Sequence, residues 1–269
     1  MVFVCPKCMG KLNIEGSRAV CERSHSFDRS RFGYYNLLLS SQGGVHGDNA
    51  EMVEARRTFL SRGYYEPLAL ALTKAATLSA KEGAVLLDAG CGEGYYTEYV
   101  ARKFALHPRT RVVAFDISKD AAKRCARRIP SAEVAVASSY HMPLSDSSVD
   151  VIINTFSPLA IDEVRRVLRV GGRFIMAIPG EEHLFGLKSA IYDTPYKNKV
   201  EDTAIEGFSL LSEQELKYTV NLNTGEDIRA LFMMTPYAYR TNATGRERVF
   251  SLKELSTAAH FHILTYERL

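Results

Sequence analysis

Four residues near the start of the chain have the types and spacing that hold a metal. They are Cys5, Cys8, Cys21 and His25, in the array C-x2-C-x12-C-x3-H. Tetrahedral Zn2+ takes four nitrogen or sulfur ligands, and a two-residue gap is the tight turn that lets two thiolates face one ion. Pro6 stiffens the first of these turns. The finger-like spacing outweighs a reading as ordinary cysteines beside a surface histidine. Four protein ligands leave no open position for water or substrate, so one structural Zn2+ is expected. A segment of 33 residues is also too small to hold itself together by burial alone.

A second constellation runs Val85-Leu86-Leu87-Asp88-Ala89-Gly90-Cys91-Gly92-Glu93-Gly94-Tyr95-Tyr96-Thr97. An apolar strand meets an acid, then glycines at alternate positions, then a helix. The glycines let backbone pass close beneath a ligand. Asp116 ends the next apolar run, Val112-Val113-Ala114-Phe115, where an acid is placed to take ribose hydroxyls. On these residues alone a nicotinamide dehydrogenase remains an alternative.

The elements that must position these groups follow from periodicity. After Gly83 short apolar runs at 84–87, 111–115, 133–137, 149–153 and 174–178 alternate with helix-like stretches. That pattern predicts an α/β fold, doubly wound around a mostly parallel seven-stranded sheet. Two helical segments precede it, through Met52, Val53, Phe59 and Leu60 and then Leu68, Leu70, Ala71 and Leu72. The last third carries a run at 216–222, a helix over 225–233 and a terminal β segment at 260–266, consistent with a final hairpin at the sheet edge. The expected organisation is a zinc-binding module over 1–36, a Gly- and polar-rich connection over 37–50 and a larger domain over 51–269.

Composition narrows the setting. No apolar run approaches the ~18 residues of a membrane span, and the start lacks a charged segment followed by an apolar stretch, so a cytoplasmic protein is expected. Of the five cysteines three lie within the first 21 residues, which in a reducing compartment favours a metal site over disulfides. The net charge of +3 resides in residues 1–36, with six Lys/Arg against three acids. The small module is therefore the basic end, a hint of an anionic partner. Lys123, Arg124, Arg127 and Arg128 make a further basic helix face, which at that spacing is read first as a solvated face and second as a phosphate contact. Arg165, Arg166 and Arg169 are read the same way.

The segment Asp88 to Gly94 resembles motif I of class I S-adenosylmethionine-dependent methyltransferases. His141-Met142-Pro143-Leu144-Ser145-Asp146-Ser147-Ser148-Val149-Asp150 is similar to a second segment of that class, and Glu163 to Gly172 resembles the helix-turn leading into its fifth strand. A dehydrogenase would not require the last two. By resemblance, Gly90, Gly92 and Gly94 pass under the methionine and ribose of S-adenosylmethionine, Asp116 holds the ribose, and Asp88 lies near the amino-acid moiety. Tyr95 and Tyr96 adjoin them. Where many relatives carry Asp at the end of the third strand, this chain has Ser138 and Ser139, which are the candidates for the adenine.

With the zinc array added, the whole chain resembles the bacterial 23S rRNA guanine-N1-methyltransferases. Carrying that resemblance are Gly47-Asp48, Met52, Ala55-Arg56, Phe59-Leu60, Gly63 to Leu68, Pro179 to Leu184 and Met234-Thr235-Pro236. It implies Tyr65, Pro67 and His183 as further cofactor neighbours and 23S ribosomal RNA as partner, with no membrane and with a homodimer left open. Guanine N1 carries a proton that must leave as charge develops at O6 and N1, and the base must be unpaired to enter a pocket. Asn154 and Phe156, at the end of the fourth strand, are the candidate acceptor-site residues, one for hydrogen bonding the base edge and one for stacking. No general base is named. Two rival readings stand beside this one: a methyltransferase of small-molecule metabolites, and a non-catalytic zinc-containing RNA-binding adaptor.

Overall fold

Continuous apolar runs along the short central strands build the fold, because a parallel strand covered on both faces must be apolar on both. The computed structural model describes residues 1–40, 47–78, 80–199 and 203–269. The connection expected over 37–50 falls in part on 41–46, outside the described residues.

The chain opens with β1 (Leu12–Glu15), β2 (Arg18–Cys21) and β3 (Ser26–Asp28), a small antiparallel sheet in the order β1-β2-β3. β4 (Tyr34–Asn36) follows, then α1 (Ala50–Ser61) and α2 (Glu66–Thr77). Asn49 caps α1 by accepting from the Met52 amide. The alternating region supplies β5 (Val85–Ala89), α3 (Tyr95–Phe104), β6 (Arg111–Asp116), α4 (Lys119–Arg128), β7 (Glu133–Val136), β8 (Val149–Thr155), α5 (Ile161–Val167) and β9 (Leu168–Pro179). The last third holds α6 (Phe185–Ile191), β10 (Phe208–Leu222), α7 (Gly225–Met233), α8 (Tyr237–Arg240), α9 (Ala243–Ser251) and β11 (Leu255–Arg268).

The main sheet runs β10-β11-β9-β8-β5-β6-β7-β4. Strands β4 through β9 pair in parallel, and β11 runs antiparallel to both β9 and β10. The seven expected strands are thus joined by an eighth, β4, which the N-terminal segment lays along β7. The expected terminal hairpin is instead a long antiparallel pair, Phe208↔Arg268 to Leu222↔Leu255, whose strands are separated in sequence by α7, α8 and α9.

Alternate residues of β5 face different cores. Leu86 belongs to a cluster with Leu68, Leu72, Phe104 and Phe261. Val85 and Leu87 belong to another with Phe115, Leu144, Phe174, Phe3, Cys5 and Leu12. The zinc segment therefore forms part of the cover over one sheet face. It is fastened there by the Val4 amide on Pro143 O (2.9 Å) and the Val2 amide on Glu133 Oε2 (2.6 Å). Strand order reverses between β5 and β8, the switch point where open α/β sheets bind ligands beyond their carboxyl ends. Among the described residues no helix is long and apolar enough to cross a membrane.

Candidate active site and zinc centre

Cys5, Cys8, Cys21 and His25 converge, with all four ligand atoms within 4.8 Å of one another. Cys5 Sγ and Cys21 Sγ lie 3.4 and 3.5 Å from His25 Nδ1, and Cys8 Sγ lies 3.7 Å from Cys21 Sγ. A tetrahedron drawn with Zn–S near 2.3 Å and Zn–N near 2.0 Å has edges of about 3.8 Å for S–S and about 3.5 Å for S–N. The donor set fits zinc in both type and spacing. Two tight turns produce it, closed by the Met9 amide on Cys5 O (2.7 Å) and the Ser24 amide on Cys21 O (2.8 Å).

At the carboxyl end of β5 the chain turns through three glycines with left-handed backbone: Gly90 at φ +87°, Gly92 at +55° and Gly94 at +87°. A Cβ on Gly90 would meet Ser157 Cβ at 2.3 Å, so this position admits glycine alone. Asp88 is 2% exposed, with Oδ2 accepting from Thr97 Oγ1 at 2.6 Å while Oδ1 has no partner. Burial raises its pKa to about 7; the Thr97 bond opposes that shift and the Asp116 charge adds to it. A buried, unpartnered carboxylate oxygen beside a glycine cradle fits a ligand that brings a donor to it.

Asp116 ends β6 and accepts from the Gly92 amide (2.9 Å) through Oδ2 and from the Ser118 amide (2.7 Å) through Oδ1. Burial raises its pKa as well. Ser118 also donates to Asp48 O at 2.6 Å, and Asp48 pairs with Arg56, whose second nitrogen donates to Met234 O. The segment from Gly47 to Arg56 therefore borders the Asp116 end of the sheet. Ser138 is buried and accepts from the Tyr140 amide at 3.2 Å, and Ser139 beside it is half-buried.

Across the switch point lies an aromatic group. Phe156 is 46% exposed and holds a strained φ of +58°. Its ring stacks on His183 (6.2 Å, 20°) and meets Phe261 at 5.6 Å and Tyr96 at 6.5 Å. Tyr65 packs against Phe261 and lies 6.1 Å from His183. The turn carrying Tyr65 is pinned by Tyr218 Oη donating to Tyr64 O (2.8 Å) and Tyr64 Oη donating to Asp227 (3.0 Å). His183 Nδ1 accepts from the His260 amide at 3.3 Å, which leaves the neutral ring's proton on Nε2. Burial first, then the Lys188 charge, lowers its pKa to about 3. Tyr95 is buried against Tyr96 and Tyr99.

Two expected site residues are placed differently from this group. Pro67 is exposed in the first turn of α2. Asn154 is buried, and its amide nitrogen donates to Ser157 Oγ (2.7 Å) and Ala89 O (3.4 Å). It faces the glycine turn from behind, with its donors committed inside the fold.

Comparison with known proteins decides the family. A family model described as "Methyltransferase domain" matches residues 87–176, and one described as "RlmA, N-terminal" matches residues 3–41. A 23S rRNA (guanine(748)-N(1))-methyltransferase of Streptomyces fradiae is 32% identical over 81% of this chain and 79% of its own length. The chain belongs to the 23S rRNA (guanine-N1)-methyltransferase family. Two further relatives, whose names assign them provisionally to that activity, come from Micromonospora griseorubida (32% identical, 93% of this chain, 91% of that one) and Bacillus subtilis strain 168 (30%, 96% and 93%). As a member, the chain is an S-adenosylmethionine-dependent methyltransferase with a zinc module.

Sequence reading missed several groups that complete this family member's site. Thr97 of α3, Ser157 of the loop after β8, and His260 and Phe261 of β11 touch the expected residues directly. Glu93, inside the glycine segment, is 2% exposed and paired with Arg128 at 2.8 Å. Burial raises its pKa to about 7 against the opposing Arg128 charge.

Proposed function

We propose that this enzyme transfers a methyl group from S-adenosylmethionine to N1 of a guanine in a hairpin loop of 23S ribosomal RNA, which sets its work in the cytoplasm. The observation that carries the reading is the exposed Phe156 ring, stacked on His183 beside the glycine turn of β5. An unpaired base has a flat face to lay on such a ring, and base–aromatic stacking contributes about 1–3 kcal/mol.

On this reading the labour divides among distinct groups. Cys5, Cys8, Cys21 and His25 hold the zinc, and residues 1–36 form its module ahead of a methyltransferase domain over 51–269. Gly90, Gly92 and Gly94 let the backbone pass beneath the cofactor, and Asp88 offers its free oxygen to the amino group. Asp116 would accept from ribose hydroxyls, Ser138 and Ser139 would take the adenine, and Tyr65, Tyr96 and His183 would border the cofactor, with Tyr95 next to Tyr96 and Pro67 standing apart on α2. The cofactor supplies an activated methyl on a sulfonium, so the protein's task is alignment. Phe156 holds the base, while Asn154 braces the turn through Ser157 and Ala89 and does not read the base edge. The Nε2 proton of neutral His183 is a donor suited to the charge that grows on the guanine oxygen.

The test is transfer of labelled methyl to 23S RNA lacking its modifications, followed by nucleoside analysis. A single N1-methylguanosine is expected. Cofactor binding without RNA labelling would sink the proposal in favour of a small-molecule acceptor, and absence of cofactor binding would favour an inert adaptor.

A further inference from the structure

The basic face of α4 divides into two pairs of opposite character. Arg124 turns to Glu54 (2.6 Å), and Arg128 turns to Glu93 (2.8 Å) and Glu98 (3.5 Å). Those cations are neutralised within the fold. Lys123 and Arg127 point the other way, to a ring contributed by the N-terminal segment. Lys123 Nζ lies 4.4 Å from the centre of the Phe32 ring, Arg127 Cζ 5.7 Å and Arg31 Cζ 4.8 Å. Among the described residues none of the three has a carboxylate within ion-pair distance.

Three cations gathered around one point lie within about a Debye length of each other in 0.1 M salt. Cation–π attraction of roughly 0.5–1 kcal/mol each at an exposed site holds them there, and an anion placed among them would offset their mutual repulsion. The same ring opens on a cleft of about 600 Å³ at the β4 edge of the sheet. Arg29, Arg31 and Arg127 line it with the hydroxyls of Ser17 and Ser30, and among the described residues no carboxylate does. The cleft exists only where the two parts meet, since Gly33 packs a would-be Cβ position 3.8 Å from Ala126 of α4. Arg127 also stands on the helix that Ser118 caps beside Asp116, about 13 Å further along its axis.

We propose that this seam is a phosphodiester-binding site for the RNA substrate, with Arg31, Lys123 and Arg127 as phosphate contacts around Phe32. The inference rests on the RNA reading above and adds a place to it. It makes the zinc module and α4 joint owners of one contact, away from the reacting atoms. Arginine and lysine on phosphate carry no base information, so the site fixes register and orientation while the target base is chosen elsewhere.

The experiment compares the unaltered enzyme with the combined variant Arg31→Gln, Lys123→Gln and Arg127→Gln, on an unmodified 23S RNA fragment over a salt series. Zinc content, unfolding midpoint and S-adenosylmethionine affinity report the fold and are expected to be unchanged. The expected result is an RNA KM raised about a hundredfold at 0.1 M salt with kcat at saturating RNA kept, and a log–log salt slope reduced by about 2, at about 0.7 per single-strand phosphate contact. Arg31→Lys with Arg127→Lys, which keeps the charge, is expected to retain most of the affinity. Equal KM and equal slope for the neutral variant and an active unaltered enzyme would overturn the site alone. An unaltered enzyme that binds cofactor yet neither binds nor methylates RNA would overturn the RNA reading together with the site.

Discussion

In the zinc centre four donor atoms from residues 5–25 lie within 4.8 Å of one another, while the proposed methyl-transfer edge draws on Asp48, Tyr65, Asp88, Asp116, Phe156, His183 and Phe261. The first is closed by local turns and one ion. The second exists only after β5, β6, β8, β9 and β11 have come into register. A locally tied centre tolerates change in the rest of the chain, whereas a centre collected from many elements registers each element's position. The two are coupled, because the apolar side of the zinc segment covers the face of the same sheet.

Metal removal puts that coupling to the strongest test. Chelation, or Cys21→Ser, is expected to unfold the first 36 residues, strip cover from Leu87, Phe115 and Phe174, and lower stability by about 5 kcal/mol or more. Calorimetry should show one lowered or broadened transition. An unchanged transition, with metal lost, would mean that the two regions stand independently. Next in size is Gly90→Ala, where the left-handed φ and the 2.3 Å approach of Ser157 predict a loss of about 2–4 kcal/mol and of cofactor binding. Gly16→Ala in the zinc segment shares the positive φ but has open space around it, so about 1 kcal/mol is expected. Similar midpoints for the two variants would contradict the contrast.

Phe156→Ala is expected to lower kcat/KM for RNA by roughly 10- to 100-fold at constant cofactor affinity. A parallel loss of S-adenosylmethionine binding, read by calorimetric titration, would move the ring from acceptor to cofactor. The mildest effect concerns Asp88. With its pKa raised to about 7 by burial, the folded state holds the proton more firmly than the unfolded chain. Stability of the ligand-free protein therefore falls as pH rises from the ordinary carboxylate range to about 7. A cofactor ammonium reverses the preference, so its affinity should weaken by up to tenfold per pH unit below about 7. In Asp88→Asn that slope should be flat; a slope that persists would assign the proton elsewhere.

Residues that act next to each other in the chain were the legible ones. The C-x2-C-x12-C-x3-H array and the alternating glycines each sit in one short stretch, and the short strand runs reappear as β5 to β9. β10 begins at Phe208, well before its legible part at 216–222, because Ser209 to Glu215 lie largely exposed on an edge strand and lack the alternation of a half-buried one. β4 escaped notice because three residues carry no periodicity. Asn154 has the side chain of a base reader and the position of a brace, a distinction that depends on where Ser157 and Ala89 arrive in space. Asp48 and Arg56 stood in a stretch that matched relatives, yet their pairing beside Asp116 is a matter of tertiary contact.

The pairing of β4 with β7 also has a consequence for birth of the chain. Tyr34 aligns with Val134, so the strand leaves the ribosome one hundred residues ahead of its partner. At ordinary synthesis speeds that is a wait of roughly 5–20 s. Throughout it the segment has no sheet to lie on and three thiols to protect. An ion captured early would shape the first 28 residues before any β/α unit exists, leaving β4 poised as the nascent domain's outermost rung.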